Sequence, residues 1–325
     1  MFLLLLWLAQ LGNDTVDFNS IKEKVLYFKI LPVFTILILL IGFGMTSNSA
    51  SAQSNSTSAK SISNYNVAGA PTIGDYLYFA AYDEGKEEGV YVPVKNLLFK
   101  AIIGHDKSGK ANSMDISLKP NLHDTYRNIG FPSPSHDVAV VYPIFTQAAY
   151  ANNGFYYYYS NKCDSKCLTV NIPQILLSKY TSSGFGATVL GLLNYSFITD
   201  IDIDKNPTIL KSFKKVILLH NEYVTKNEFD AINAHPNVIY LYPNALYAQV
   251  NVNYDQNTIT LVKGHGYPSQ NITNGFNWKF DNSNFESDAQ CDGWSLTKIP
   301  GGKMLSCYPD FRMLYDQSLL SAIKK

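Results

Sequence analysis

Between Leu219 and Val224 the chain reads His220-Asn221-Glu222-Tyr223, at the end of an apolar run that begins at Val216. Two residues apart on extended backbone, an imidazole and a carboxylate point the same way. Histidine exchanges protons near neutral pH, and a carboxylate accepts protons or ligates a hard cation. The pair therefore suits acid–base or metal-centred chemistry. Two further apolar runs end in polar and phenolic residues. "FTQAAYANN" (145–153) carries Tyr150 and Asn152, and "YPNALYA" (242–248) carries Asn244 and Tyr247. With Tyr223 these are candidate pocket residues. A structural role is the alternative for the pair: His220 could bond a backbone carbonyl, and Glu222 could accept amides from the next helix N-terminus.

The elements that must gather these residues alternate. "DVAVVYPIF" from Asp137 is a continuous apolar run, expected as a strand covered on both faces. "SSGFGATVLGLLNY" (182–195) has helical spacing, and "SFITDIDI" follows as a strand. "DKNPTILKSF" opens a helix with Asp204 as cap and Pro207 in the first turn. "KVILLH" is a strand. "TKNEFDAINAH" starts with a Thr225/Glu228 capping box and puts Phe229 and Ile232 on one face, and "NVIYLY" is the next strand. This rhythm, over roughly 137–245, predicts βαβ units and a parallel sheet. Ligands bind such sheets at the carboxyl ends of the strands, where the three loops should converge. A hairpin is expected at 247–263, turning at Asp255-Gln256-Asn257, and a short amphipathic helix closes the chain. "FYYYY" (155–159) reads as a strand alternating between core and surface, with a carbohydrate platform as the alternative. His265 in "KGHGYP" reads as a loop residue.

The chain has 325 residues, 46% apolar and 16% charged, with no net charge. Charged residues usually make up about a quarter of a globular domain; here Tyr, Asn and Ser fill the gap, as suits an extracellular protein. A neutral chain without an Arg-rich stripe has no field for nucleic acid. Residues 1–52 are a hydrophobic N-terminus. Lys22, Lys24 and Lys29, an apolar core within 25–45 and the small-residue site Ala50-Ser51-Ala52 make a secretory signal, with an uncleaved membrane anchor at 25–45 as the alternative. Either way the folded part lies outside the membrane. A Ser/Asn-rich linker (53–64) precedes a β-rich region (65–135), the α/β core (136–250) and a C-terminal region (251–325). In an exported protein the four cysteines pair by neighbourhood, Cys163 with Cys167 and Cys291 with Cys307; a zinc site is the rival reading. Pairing of the cysteines argues against a thiol nucleophile, and a serine elbow of Gly-x-Ser-x-Gly form is absent.

Three stretches in order resemble the C-terminal domain of the N,N-dimethylformamidase large (beta) subunit. "FTQAAYANN" is similar to that family's Thr-x-Gln-Ala-Tyr-x-Asn loop. "LLHNEYVT" (218–225) resembles His-Pro-Glu-Tyr-Trp-Ser, with Asn221 for Pro and Val224 for Trp. "VIYLYPNALYAQV" (238–250) resembles a strand ending in Gly-Asn-Gly-Phe-Tyr-Trp, with that Gly-rich end replaced by "PNALY". The resemblance covers about 137–250. It implies a three-layer α/β domain of the class I glutamine amidotransferase-like, flavodoxin-like kind, here with β-rich N- and C-terminal additions. It also implies hydrolysis of a small amide or related C–N bond at a mononuclear ferric site. Carried over by motif, Tyr150 and Glu222 would be ligands and His220 the proton-transfer group. "LLSKY" (176–180), similar to the family's Leu-Ser-Thr-Tyr, would supply Tyr180 as the second phenolate. A hard ferric ion lowers the phenol pKa from about 10, enough for tyrosinate ligation at neutral pH. A non-catalytic extracellular surface or binding protein on the same scaffold is the competing expectation.

Overall fold

The computed structural model describes residues 76–83, 86–105, 107, 111–173, 183–286 and 288–325. The expected signal or anchor, the linker and Tyr180 lie outside these residues. No helix among the described residues is long and apolar enough to cross a membrane.

Strands β1 (Tyr76–Asp83) and β2 (Lys86–Pro93) form an antiparallel hairpin, as do β3 (Phe99–His105) and β4 (Ala111–Leu118). Leu97, Leu98 and Phe99 join the main core, and the Leu98 amide bonds Leu314 O at 2.9 Å. Helix α1 (His123–Ile129) follows.

The central sheet is built from β5 (Val138–Tyr142), β7 (Ser196–Thr199), β8 (Lys215–Leu218), β10 (Val238–Tyr240), β13 (Leu296–Ile299) and β14 (Gly302–Leu305). They lie in the order β13-β14-β10-β8-β5-β7. All neighbours are parallel except the β13–β14 pair. Every residue of β5, β8 and β10 is buried, as parallel strands covered on both faces require. Alternate side chains face separate apolar clusters. Val140, Ile217 and Ile239 join one, with α4 (Gly184–Leu192) and α7 (Gln317–Lys324); Val141, Leu218 and Tyr240 join the other, with α5 (Asp200–Lys205) and α6 (Lys226–Ala234). The protein is thus mixed α/β with parallel strands at its centre.

A second sheet of four strands comprises β6 (Thr169–Asn171), β9 (Tyr223–Val224), β11 (Ala248–Asn253) and β12 (Thr258–Lys263), in the order β6-β12-β11-β9. The β11–β12 hairpin matches its expected bounds, and β9 runs parallel to β11.

Three readings are corrected. "DIDI" is not strand but helix α5. Thr199 accepts the Asp202 amide while Asp202 bonds back to the Thr199 amide at 2.8 Å, a capping box that ends β7. "FYYYY" is helix α3 (Phe155–Tyr159), entered through a turn in which Asn153 is left-handed (φ 59°) and Gly154 N bonds Ala151 O at 2.8 Å. The core does not end at 250, because β14 of the C-terminal region extends the parallel sheet beside β10. Both expected disulfides are present, Cys163–Cys167 with Cα atoms 6.0 Å apart and Cys291–Cys307 with Cα atoms 5.1 Å apart.

Chain order and strand order together locate a crevice. From β5 the chain goes to the edge strand β7, returns past β5 to β8, and continues away to β10. The connections after β5 and β8 therefore diverge, which opens a gap at the carboxyl ends of these two strands.

Candidate functional site

Residues 219–222 fill that gap. The chain leaves the central sheet after Leu218 and enters the second sheet at Tyr223, so His220, Asn221 and Glu222 bridge the two. Their backbone is held from both sides. Asn221 O and Glu222 O accept the amides of Leu246 and Ala248 at 2.7 and 2.9 Å. Thr146 Oγ1 accepts the amides of Glu222 and Tyr223 at 3.0 and 3.1 Å. Thr146 lies in α2 (Ile144–Ala149), the turn that follows β5. That helix is itself anchored by buried Asp200, whose carboxylate accepts the Phe145 amide at 2.7 Å.

Glu222 is the centre of the site and is fully buried. Tyr150, just past α2, donates its hydroxyl to Glu222 Oε2 at 2.6 Å. His220 Nε2 lies 3.3 Å from the same oxygen but off line for a hydrogen bond, and neither ring nitrogen of this buried histidine has a hydrogen-bond partner. His265 Nε2 meets the other oxygen, Oε1, at very short range. Burial opposes ionisation of Glu222, but attraction to His265 and the contacts from both imidazoles overcome it and hold its pKa down to about 2.

Aromatic side chains wall this cluster. Tyr156 packs 4.5 Å from the Tyr150 ring and is hydrogen-bonded to Tyr150; burial and the Glu222 charge push its phenol well above its ordinary pKa. Tyr223 is fully buried and lies parallel to the His265 ring at 5.5 Å. Burial and the nearby phenols and Glu222 push its pKa up as well. Tyr247 meets His265 edge-on at 4.6 Å. On the far side Tyr242 stacks on His220 at 5.6 Å and donates to buried Asp310 at 2.8 Å.

Of the residues expected from sequence, Tyr150, His220, Glu222, Tyr223 and Tyr247 meet in one cluster. Asn244 is buried in the loop after β10 with its Oδ1 unpartnered. Asn152 is exposed and accepts a hydrogen bond from Tyr157 at 2.8 Å. His265 and Tyr156 were missed. His265 sits 43 residues from Glu222 on a glycine-flanked loop, and no local pattern ties it to the carboxylate. Its signal in the sequence is the Gly-His-Gly triplet itself, since glycines on both sides admit backbone that other residues avoid.

Among the described residues no three His, Cys, Asp or Glu side chains are placed to hold one metal ion. The donors that do converge are a carboxylate and a phenol, Glu222 and Tyr150, joined by imidazole. Hard oxygen donors of this kind suit an oxygen-seeking cation such as ferric iron, and the unpartnered His220 ring leaves polar capacity beside them. These residues fit two of the ligands that the resemblance implies; Tyr180, the third, lies outside the described residues. No protein-family model matches the chain, and no curated protein does.

Proposed function

We propose that the protein is an amidohydrolase-like enzyme that cleaves a small amide or related C–N bond at a mononuclear iron site held by Tyr150 and Glu222. The supporting observation is the approach of the Tyr150 hydroxyl to a fully buried, ionised Glu222 at the switch point of a parallel sheet. The reading takes the sheet, with its apolar cluster on each face, as the three-layer arrangement of the glutamine amidotransferase-like kind, and Tyr180 as the second phenolate.

When bound, the metal would supply Lewis acidity towards a carbonyl oxygen. The chain supplies the rest. Glu222 presents a carboxylate, and Tyr150 donates its hydroxyl to it; with a cation bound, that phenol would give up its proton and hold the metal as phenolate. His220 has a ring nitrogen 3.3 Å from Glu222 and no competing hydrogen bond, so it is free to hold or pass a proton at Nε2. Buried Asn244 offers an unpartnered Oδ1 for orienting a small polar substrate. Two disulfides agree with an exported protein on the extracellular side, secreted or anchored by the segment 25–45.

A second reading is a non-catalytic extracellular binding protein. It is favoured by the engagement of both Glu222 oxygens by side chains of the protein itself. Elemental analysis and visible absorption of protein expressed with added iron separate the two. Bound iron with a tyrosinate charge-transfer band that disappears in Tyr150→Phe supports the enzyme. A colourless, iron-free protein leaves only the binding module.

A further inference from the structure

We infer that His265 is a direct ligand of the metal, so that the centre combines the Tyr150 phenolate and the Glu222 carboxylate with an imidazole. This rests on the metal-site reading above and adds a ligand that the sequence resemblance does not imply.

The first argument is placement. His265 Nε2 is turned onto Glu222 Oε1, while Tyr150 approaches Oε2 of the same carboxylate. The three donor groups thus come from three separate segments: the turn after β5, the bridge after β8 and the loop after β12. His220 lies 3.3 Å from the same carboxylate but is off line, so His265 is the imidazole whose nitrogen is aimed at it.

The second is backbone conformation. His265 has φ 52° and sits between Gly264 at 123° and Gly266 at 73°, three left-handed residues in succession. A non-glycine residue in this region is disfavoured, and such outliers gather where a ligand must be aimed. The loop is pinned there: His265 N bonds Thr273 O at 3.0 Å and Gly266 N bonds Ile272 O at 2.7 Å. Gly264 lies so close to β11 that a Cβ would meet Ala248 Cα at 2.9 Å. The strand that carries the second sheet therefore fixes the loop's height above Glu222.

The third is restraint of the ring. Tyr223 lies parallel to the imidazole within 10°, Tyr247 meets it edge-on, and Tyr159 packs at 5.2 Å. Holding a histidine in one plane is how surrounding residues tune a metal site. The side chain is 23% exposed where Glu222 is fully buried, so His265 also stands at the solvent side of the centre.

The test uses the full chain, reconstituted with ferrous salt and exposed to air, and reads metal content, visible absorption and pulsed electron paramagnetic resonance. The expected result is a nitrogen coupling in the wild type that persists in His220→Ala and vanishes in His265→Ala. Iron affinity should fall about tenfold or more in His265→Ala, and added imidazole should restore iron and shift the absorption band. Circular dichroism of the apo variant checks that it folds; His265→Gln serves if His265→Ala does not. If His265→Ala keeps iron of unchanged affinity with an unshifted band, His265 is only an ion-pair partner, and the metal-site reading stands without it. If the wild type binds no iron, both fall.

Discussion

The Tyr150 hydroxyl donates to Glu222 Oε2 at 2.6 Å, linking residues 72 positions apart along the chain. A hydrogen bond to a charged acceptor contributes about 1.5–3 kcal/mol. Since Tyr150 is only partly buried, Tyr150→Phe should lower unfolding free energy by roughly 1.5 kcal/mol, near the low end of that range. Urea denaturation checks this. An unchanged midpoint would mean that the phenol and the carboxylate are apart in solution.

Thr146 carries a heavier structural role than its size suggests. Its hydroxyl is the acceptor for two buried amides, those of Glu222 and Tyr223. Thr146→Val keeps the shape but strands both donors. At about 1–3 kcal/mol for each of the two unsatisfied groups, the loss should be on the order of 2–6 kcal/mol. Thr146→Ser, which keeps the oxygen, should recover most of it. Equal destabilisation by both variants would rule out the hydrogen bonds as the cause.

The sheet was legible because buried parallel strands leave continuous apolar runs. "VAVVY" and "KVIL" announce β5 and β8, and the residues that follow them mark the site. What escaped was whatever local pattern does not encode. "TDID" carries two opposing signals, β-branched residues and a capping box, and the box won. Strand β14 shows only Met304 and Leu305 as buried residues, too few to stand out within a Gly- and Asn-rich tail. His265 reaches Glu222 only because β12 pairs with β11, and β11 with β9, next to the bridge; that is tertiary information. Tyr156 was hidden by reading "FYYYY" with the period of a strand.

The two disulfides should differ in weight. Cys291–Cys307 spans 16 residues around the β13–β14 hairpin and both sulfur-bearing residues are fully buried. Chain entropy alone assigns it about 3 kcal/mol, against about 2 for the tight Cys163–Cys167 loop. Loss of core contacts adds to the first. Tyr308, next to Cys307, also packs 5.9 Å from His220, so the Cys291→Ala/Cys307→Ala variant should disturb the site's aromatic wall. Thermal unfolding of the two double variants gives the order: Cys291→Ala/Cys307→Ala should melt lower than Cys163→Ala/Cys167→Ala. The reverse order would show that the β13–β14 hairpin is held by its strand pairing alone.

Asp310 should make stability depend on pH in the direction opposite to most carboxylates. Burial pushes its pKa from the ordinary 3.8 up to about 6, despite hydrogen bonds from the Gly186 amide at 2.9 Å and the Tyr242 hydroxyl at 2.8 Å. The folded state therefore binds this proton more tightly than the unfolded chain. Its contribution to stability is complete below about pH 4 and is lost as pH rises through 6, by on the order of 3 kcal/mol. Asp310→Asn cannot ionise, so its stability should lack this decline whatever the absolute cost of the substitution. Urea midpoints for both proteins between pH 4 and 7 test the difference in slope. Parallel curves would show that Asp310 is ionised and well solvated in the folded protein, and that the Asp310–Tyr242 link behind His220 is not closed.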